Sequence, residues 1–435
     1  MAQGKLPAPS LRLAILTRPA PQTAPSRLSQ VSGHLLPTKS ILDKNPDDVV
    51  ITCALRTPFT KGGKGLLKDT MASDLLAYTL KNLLTRSKID PKLVEDIRAG
   101  CVLAPGGGAT EYRAAALVAG FPTSTAVSSL NRQCSSGLQA CVDIANAIKA
   151  GMIEVGIGAG VESMSTQYGP GAVTEFSDLL DQEGTESANC KVPMGVLSEN
   201  MARDRQISRK DQDAFAASSY QKALAAQEAG LFDEEIAPIT VQYTDPKTEE
   251  ERTVTVTKDD GVRPGTTAET LGKMRAAFAK DGSIHAGNAS QVSDGAAAVL
   301  LMKRSKALEL GQPILGRFVN ASVVGVPPLL MGVGPEFAIP VALQKAGITK
   351  EDVDIFEINE AFASQAVWCV RQLGIPVEKV NPKGGAIAFG HPLGCTGARQ
   401  VGTLFSELKR TGKRVGVTSM CVGTGMGMAA VWVAE

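Results

Sequence analysis

The stretch Asn131-Arg132-Gln133-Cys134-Ser135-Ser136-Gly137 decides how this chain folds. The apolar, β-branched Thr125-Ala126-Val127 leads into it, and Leu138, Cys141, Ala145 and Ile148 then recur at helical spacing. This predicts Cys134 at a strand-to-helix turn, the repeating joint of an α/β protein. Unpaired N–H groups and the dipole at a helix N-terminus favour an anionic thiol, so Cys134 is expected below the roughly 8.5 of a free cysteine. A buried structural cysteine would suit the same position. The small Ser135, Ser136 and Gly137 favour the reactive reading, because they leave room for a substrate to approach the sulfur.

Outward from this turn, the composition bounds the class. The chain has 435 residues, enough for two or three domains, and only 4% aromatics, which suits closely packed helix-on-sheet layers. A net charge of +1 argues against a nucleic-acid surface. No apolar run reaches the roughly 18 residues of a membrane span. Eight cysteines are scattered without a C-x-x-C pair or clustered histidines, so a metal site is not expected. His34, His285 and His391 are the only histidines, which narrows the search for a general base.

Residues 1–42 contain no Asp or Glu and are rich in Pro and Ser, and they read as a targeting or disordered arm. Within it Arg27-Leu28, five residues, then His34-Leu35 resembles the nonapeptide type-2 peroxisomal targeting signal, whose reader would be an import receptor. A mitochondrial presequence shares the same acid-poor bias; the peroxisomal reading is preferred because both end pairs fit. Globular patterning starts near Asp48, with a strand at Val49–Thr52 and a helix from Ser73 to about Leu84. The cluster Lys61-Gly62-Gly63-Lys64-Gly65 lacks phosphate-loop spacing. Val155-Gly156-Ile157-Gly158-Ala159-Gly160 lacks the dinucleotide-binding spacing and reads as a tightly packed strand.

Residues 166–283 are more polar, with a helix at Asp211–Glu228 and an alternating strand at Arg252–Thr257, and are expected to form a domain inserted into a first half made of 47–165 and 284–312. Residues 313–435 then repeat that half. Ile348-Thr349-Lys350-Glu351-Asp352-Val353 echoes Ile89-Asp90-Pro91-Lys92-Leu93-Val94 at an offset of 259, and Val415-Gly416-Val417 echoes Val155-Gly156-Ile157 at 260. In that frame Gly394 falls where Cys134 lies, so the second turn carries His391 just before its helix.

Three further segments look chemical, and all are expected beyond strand ends, where open α/β sheets bind ligands. They are Asn359-Glu360-Ala361-Phe362, Gly390-His391-Pro392-Leu393-Gly394-Cys395-Thr396-Gly397, and Cys421-Val422-Gly423-Thr424-Gly425-Met426-Gly427. A capping Asn, a core His and a glycine-rich turn would explain each singly; together they supply a nucleophile, a base, a second thiol and a polarising amide. With the Cys134 motif and the run from Gly287-Asn288-Ala289-Ser290 to Ala296, these motifs resemble the thiolase family in its order, over about residues 47–435. The form around Cys134, together with Gly160-Val161-Glu162-Ser163-Met164-Ser165, looks most like the peroxisomal 3-ketoacyl-CoA members; acetoacetyl-specific members usually have glycine where Ser135 stands.

The resemblance implies a duplicated αβαβα layered core, a loop domain covering coenzyme A, and a homodimer. It also implies that Cys134 accepts the acyl group, His391 activates it, and Cys421 is the acid/base. Asn359 would hold an oxyanion-hole water, and the N–H groups of Cys134 and Gly423 would serve the thioester oxyanion. Arg263 would lie near the adenine and Ser290 near the pantetheine, with coenzyme A a co-substrate and no permanent cofactor. The expected reaction is retro-Claisen cleavage of 3-ketoacyl-CoA in fatty-acid β-oxidation. Its alternatives are an acetoacetyl-CoA thiolase acting in the condensing direction and a non-catalytic acyl-CoA binder. A condensing ketoacyl synthase would lack the acid cysteine. Cys190, beside Lys191, is a possible redox partner of Cys134, while His285 is expected to be structural.

Overall fold

A computed structural model describes residues 40–168 and 175–435. The expected arm residues Arg27, Leu28, His34 and Leu35 lie outside the described residues. Residues 40–43 make a turn, closed by the Ser40 N–H donating to Asp43 Oδ2 at 2.9 Å.

The first half runs β1 (Val49–Arg56), β2 (Thr60–Lys61), α1 (Ala72–Ser87), β3 (Asp96–Gly100), α2 (Ala109–Ala119), β4 (Ala126–Leu130), α3 (Ser136–Lys149) and β5 (Val155–Ser163). An intervening segment follows, with α4 (Met164–Gln167), α5 (Glu186–Asn189), α6 (Met194–Asp204), α7 (Arg209–Glu228), the hairpin β6 (Ile239–Thr244) and β7 (Glu251–Val256), and α8 (Ala268–Gly272). The first half then closes with β8 (Ser293–Lys303) and α9 (Arg304–Glu309). The second half runs β9 (Gly316–Gly325), α10 (Gly334–Ala346), β10 (Ile355–Ile358), α11 (Ala363–Leu373), α12 (Ala386–Phe389), α13 (Thr396–Thr411), β11 (Val415–Val422) and β12 (Met426–Ala434).

Four strands of each half repeat one another. The order β3-β5-β8-β1, with one parallel and two antiparallel pairings, recurs as β10-β11-β12-β9 with the same directions. The starts of β3 and β10 differ by 259 residues (355 less 96), and those of β5 and β11 by 260 (415 less 155), as the sequence echo requires. The half-sheets join where Val50 pairs with Arg317 and Ile51 with Gly316.

Helices α3 and α13 lie between the half-sheets, α1 and α2 cover one outer face, and α10, with α11 packed beside it, covers the other, giving five αβαβα layers. Strands covered on both faces read as unbroken apolar runs; β5 and β11 are buried along their whole length. The α3 stripe Leu138, Cys141, Ala145 and Ile148 points into the core between the layers, which also holds Val401, Leu404 and Trp432. A second core under α1 and α2 takes Leu75, Leu80 and Leu83, and Ile239 and Val241 of the hairpin join it.

Glycine sets the layer spacing. A Cβ on Gly158 would sit 2.5 Å from Cys141 Cα, so the Gly-x-Gly-x-Gly strand is the tightly packed element expected of it. At the crossing of α3 and α13, a Cβ on Gly137 would meet Ala398 N and one on Gly397 would fall on Leu138 N. Each glycine thus admits the backbone one residue past its counterpart, as a local two-fold arrangement demands.

Candidate active site

The turn after β4 is held by its own polar side chains. Asn131 accepts the Gln133 N–H at 2.8 Å and donates to Val102 O at 3.1 Å. Gln133 adopts the left-handed φ of 47°, which reverses the chain one residue before Cys134. The Ser135 hydroxyl donates to Arg132 O at 2.9 Å and that of Ser136 to Gln133 O at 2.6 Å. These serines, read from sequence as clearance for a substrate, therefore also tie the turn down.

Cys134 sits at the expected joint, one residue before the N-cap of α3, and is buried. The direction of its acidity is opposite to the expectation. Burial pushes the thiol up to about 11, and the N–H donors of Gly423 and of Cys134 itself only partly offset this. Desolvation of the anion outweighs the local dipoles in a site this closed, so the resting sulfur is a thiol.

The second-half turn presents His391, which is buried. Its N–H donates to Gln291 O at 3.1 Å, its Nδ1 lies 2.6 Å from Thr396 Oγ1, and its Nε2 lies 3.3 Å from Asn359 Nδ2. An amide nitrogen can only donate, so this network assigns Nε2 as an acceptor and places the ring proton on Nδ1, toward Thr396. Burial, with Arg399 nearby, lowers the imidazole to about 3. Asn359 follows β10, its N–H donates to Ser419 O at 2.9 Å, and its buried Oδ1 has no protein partner.

Cys421 corrects the expectation that all three motifs lie beyond strand ends. It is inside β11, paired with Gly427 of β12, because the strand continues to Val422. Burial first, then the neighbouring Cys134 and Cys369, push its thiol well above the ordinary value. After Val422 the chain turns through Thr424 and Gly425, both at positive φ (66° and 88°), and this turn directs the Gly423 N–H at Cys134. Two linked groups result: Cys134, Gly423 and Cys421 at the end of β11, and His391, Asn359 and Thr396 beside the adjoining β10.

The remaining candidates lie farther along the intervening segment. Ser290 is half-buried, and its N–H donates to Ala361 O at 3.0 Å, which ties it to the segment after Asn359. Arg263 is exposed, with its guanidinium 6.0 Å from the centre of the Tyr220 ring. His285 has the structural role expected: Nε2 lies 2.8 Å from Asp213 Oδ1, and Nδ1 accepts the Gly287 N–H at 3.0 Å. Cys190 follows α5, half-buried, and every described cysteine is a free thiol. Thr396 and Gln291, which hold His391, are not among the residues expected from sequence. The signal for Thr396 was a hydroxyl opening the helix five residues after the only histidine in a glycine-rich turn. Among the described residues no group of acidic, His or Cys side chains could hold a metal, and no helix is long and apolar enough to cross a membrane.

Comparison with known proteins shows the family. A family model for the thiolase N-terminal domain matches residues 49–305, and one for the thiolase C-terminal domain matches 312–434. The peroxisomal 3-ketoacyl-CoA thiolase of Yarrowia lipolytica is 62% identical over 396 residues, 91% of this chain and 95% of that protein. The dimeric peroxisomal thiolase of Saccharomyces cerevisiae superposes with a TM-score of 0.85 at 50% identity, over 91% of this chain and 99% of that one. Human mitochondrial 3-ketoacyl-CoA thiolase, solved in complex with CoA, gives 0.79 at 36% identity, over 90% and 98%.

Proposed function

The chain belongs to the thiolase family, and from that premise we propose that Cys134, His391 and Cys421 divide between them the thiolytic cleavage of 3-ketoacyl-CoA by coenzyme A. The products are acetyl-CoA and an acyl-CoA two carbons shorter, and the reaction belongs to peroxisomal fatty-acid β-oxidation, carried out by a homodimer. The observation that carries the division of labour is the placement of two thiols and one Gly423 N–H together at the end of β11.

In the first half-reaction Cys134 Sγ attacks the C3 ketone and its proton passes to His391 Nε2. Burial penalises a thiolate or an imidazolium singly, but the pair formed by this transfer carries no net charge and avoids much of that cost. The N–H groups of Cys134 and Gly423 are suited to the oxyanion at C3; one such donor is typically worth about 3 kcal/mol. The C2–C3 bond then breaks. The departing enolate is stabilised by His391 and by a water on Asn359, whose unpartnered Oδ1 supports that role. It takes its proton from Cys421, which afterwards receives the proton of the incoming CoA thiol. Transfer of the acyl group from Cys134 to that thiol closes a ping-pong cycle.

Coenzyme A is a substrate here, with Arg263 near its adenine and Ser290 along its pantetheine arm. The intervening segment is its cover. The nonapeptide with Arg27, Leu28, His34 and Leu35 would be read by a peroxisomal import receptor, which a fluorescent fusion of residues 1–42 tests. For the reaction itself, purified protein and CoA are given acetoacetyl-CoA and a longer 3-ketoacyl-CoA. Failure to cleave both overturns the reading.

A further inference from the structure

Glu162, near the end of β5, is fully buried, and no ion pair reaches it among the described residues. A buried carboxylate without a cation costs several kcal/mol unless donors replace its water. Three backbone N–H groups do so: Val102 at 3.0 Å and Gly394 at 2.9 Å on Oε2, and Leu103 at 3.0 Å on Oε1. These donors belong to two different places. Val102 and Leu103 follow β3, and Val102 O accepts from Asn131, which in turn accepts from the residue before Cys134. Gly394 lies three residues after His391, at the entrance to α13.

We propose that Glu162 is a positioning residue, an anionic clamp that holds the turn carrying Cys134 in register with the turn carrying His391. The inference rests on the thiolytic reading above. Glutamate suits the place and glutamine does not. With three donors converging on two oxygens, an amide would set its own N–H against one of the backbone N–H groups. Aligned reacting atoms are worth large rate factors, and small displacements forfeit them. The clamp is also sensitive to protons. Burial pushes the Glu162 carboxyl up to about 7 against the pull of its three donors. The ionisable groups facing it are Cys101, Tyr112, Cys134 and Cys395, none a cation. The carboxylate form is present above that value, so the clamp weakens as pH falls through it, in a range where His391 stays neutral.

The test uses full-length protein and three readouts: acylation of Cys134 by a 3-ketoacyl-CoA, KM for CoA, and alkylation of Cys134 by iodoacetamide against pH, read by mass spectrometry. Glu162→Gln is expected to slow acylation about 10- to 100-fold while KM for CoA stays within about twofold. It should also remove the acid limb near pH 7. Alkylation should move the other way, to lower pH, because a negative charge beside the thiol is gone. Asn131→Ala cuts the same path at an exposed residue and keeps the charge, so acylation should fall with the alkylation midpoint unmoved; it carries the test if Glu162→Gln does not fold. Wild-type acylation in a folded Glu162→Gln or in Asn131→Ala overturns the proposal, as does an acylation loss matched by an equal rise in KM. Wild-type protein without turnover overturns the thiolytic reading instead, and an unmoved alkylation midpoint in Glu162→Gln would then still reject the clamp.

Discussion

The two halves agree in nearly every strand and differ at the fifth. In the first half β4 pairs with β3 over five residues, Asp96–Gly100 against Ala126–Leu130. At the matching place in the second half one bridge remains, Phe356 to Val380, and the chain then runs through α12 into the His391 turn. A paired strand aims the residue at its end, and that is what Cys134 needs. A loop freed from pairing can be drawn inward by side-chain contacts, and Thr396, Asn359 and Gln291 draw His391 in this way. The glycine crossing of α3 and α13 is the same in both halves. Scaffold was kept symmetric, and chemistry entered where symmetry was given up.

The most severe way to test this asymmetry is to remove the first half's product. Cys134→Ala should lower kcat by more than about 10⁵-fold, as loss of a nucleophile typically does, with an unchanged thermal melt; residual turnover of even one per cent would show that the tip of the first turn is not the nucleophile. Cys421→Ala should cost about 10²- to 10⁴-fold, the range of a lost acid/base. Acyl adduct on Cys134 should still be visible by mass spectrometry, and its absence would merge the roles of the two thiols.

The symmetric part is broken with Gly397→Ala, whose methyl would fall on Leu138 N. Overpacking of this kind should destabilise by about 3 kcal/mol, and Gly137→Ala should cost a similar amount in the same urea titration. A large difference between them would mean that the crossing is not a true counterpart pair. An effect of similar size concerns the join between the halves. Burial alone would raise the Glu235 carboxyl, but Lys383 of the second half and Arg56 of the first hold it at about 2. A folded pKa below the unfolded value of roughly 4.3 means stability fully present above that pH and lost as pH falls toward 2. The loss should be on the order of 3 kcal/mol, and it should disappear from the acid titration of Glu235→Gln.

Local periodicity made much of this legible. The α3 stripe, the Gly-x-Gly-x-Gly strand and the repeat offset all rest on neighbours in sequence or on a single long offset, and all three stand in the structure. The direction of the Cys134 thiol was not legible, because the local dipole is visible in sequence and the depth of burial is not. Cys421 was placed past its strand because the glycines after it read as a turn starting too early. Glu162 holds amides 60 and 232 residues away, so nothing near it in the chain announces what it binds. The reduction of the fifth strand to one bridge was equally silent, since Val380 carries no pattern of its own.

Within the large sheet β1 pairs with β8 and β9, Val49 opposite Lys303 and Val50 opposite Arg317, and its last residue, Arg56, bridges Ile236. At a synthesis rate of roughly 5–20 residues per second, the first strand of the sheet leaves the ribosome on the order of 10–50 s before either partner exists. During that interval Val49-Val50-Ile51-Thr52-Cys53-Ala54 is an apolar, β-prone segment without a partner, the kind that aggregates when exposed. Nascent chains stalled before β8 should therefore hold on to chaperones, and release should come once residue 303 has emerged. The permuted order of the sheet, harmless in the finished enzyme, makes its birth a matter of waiting.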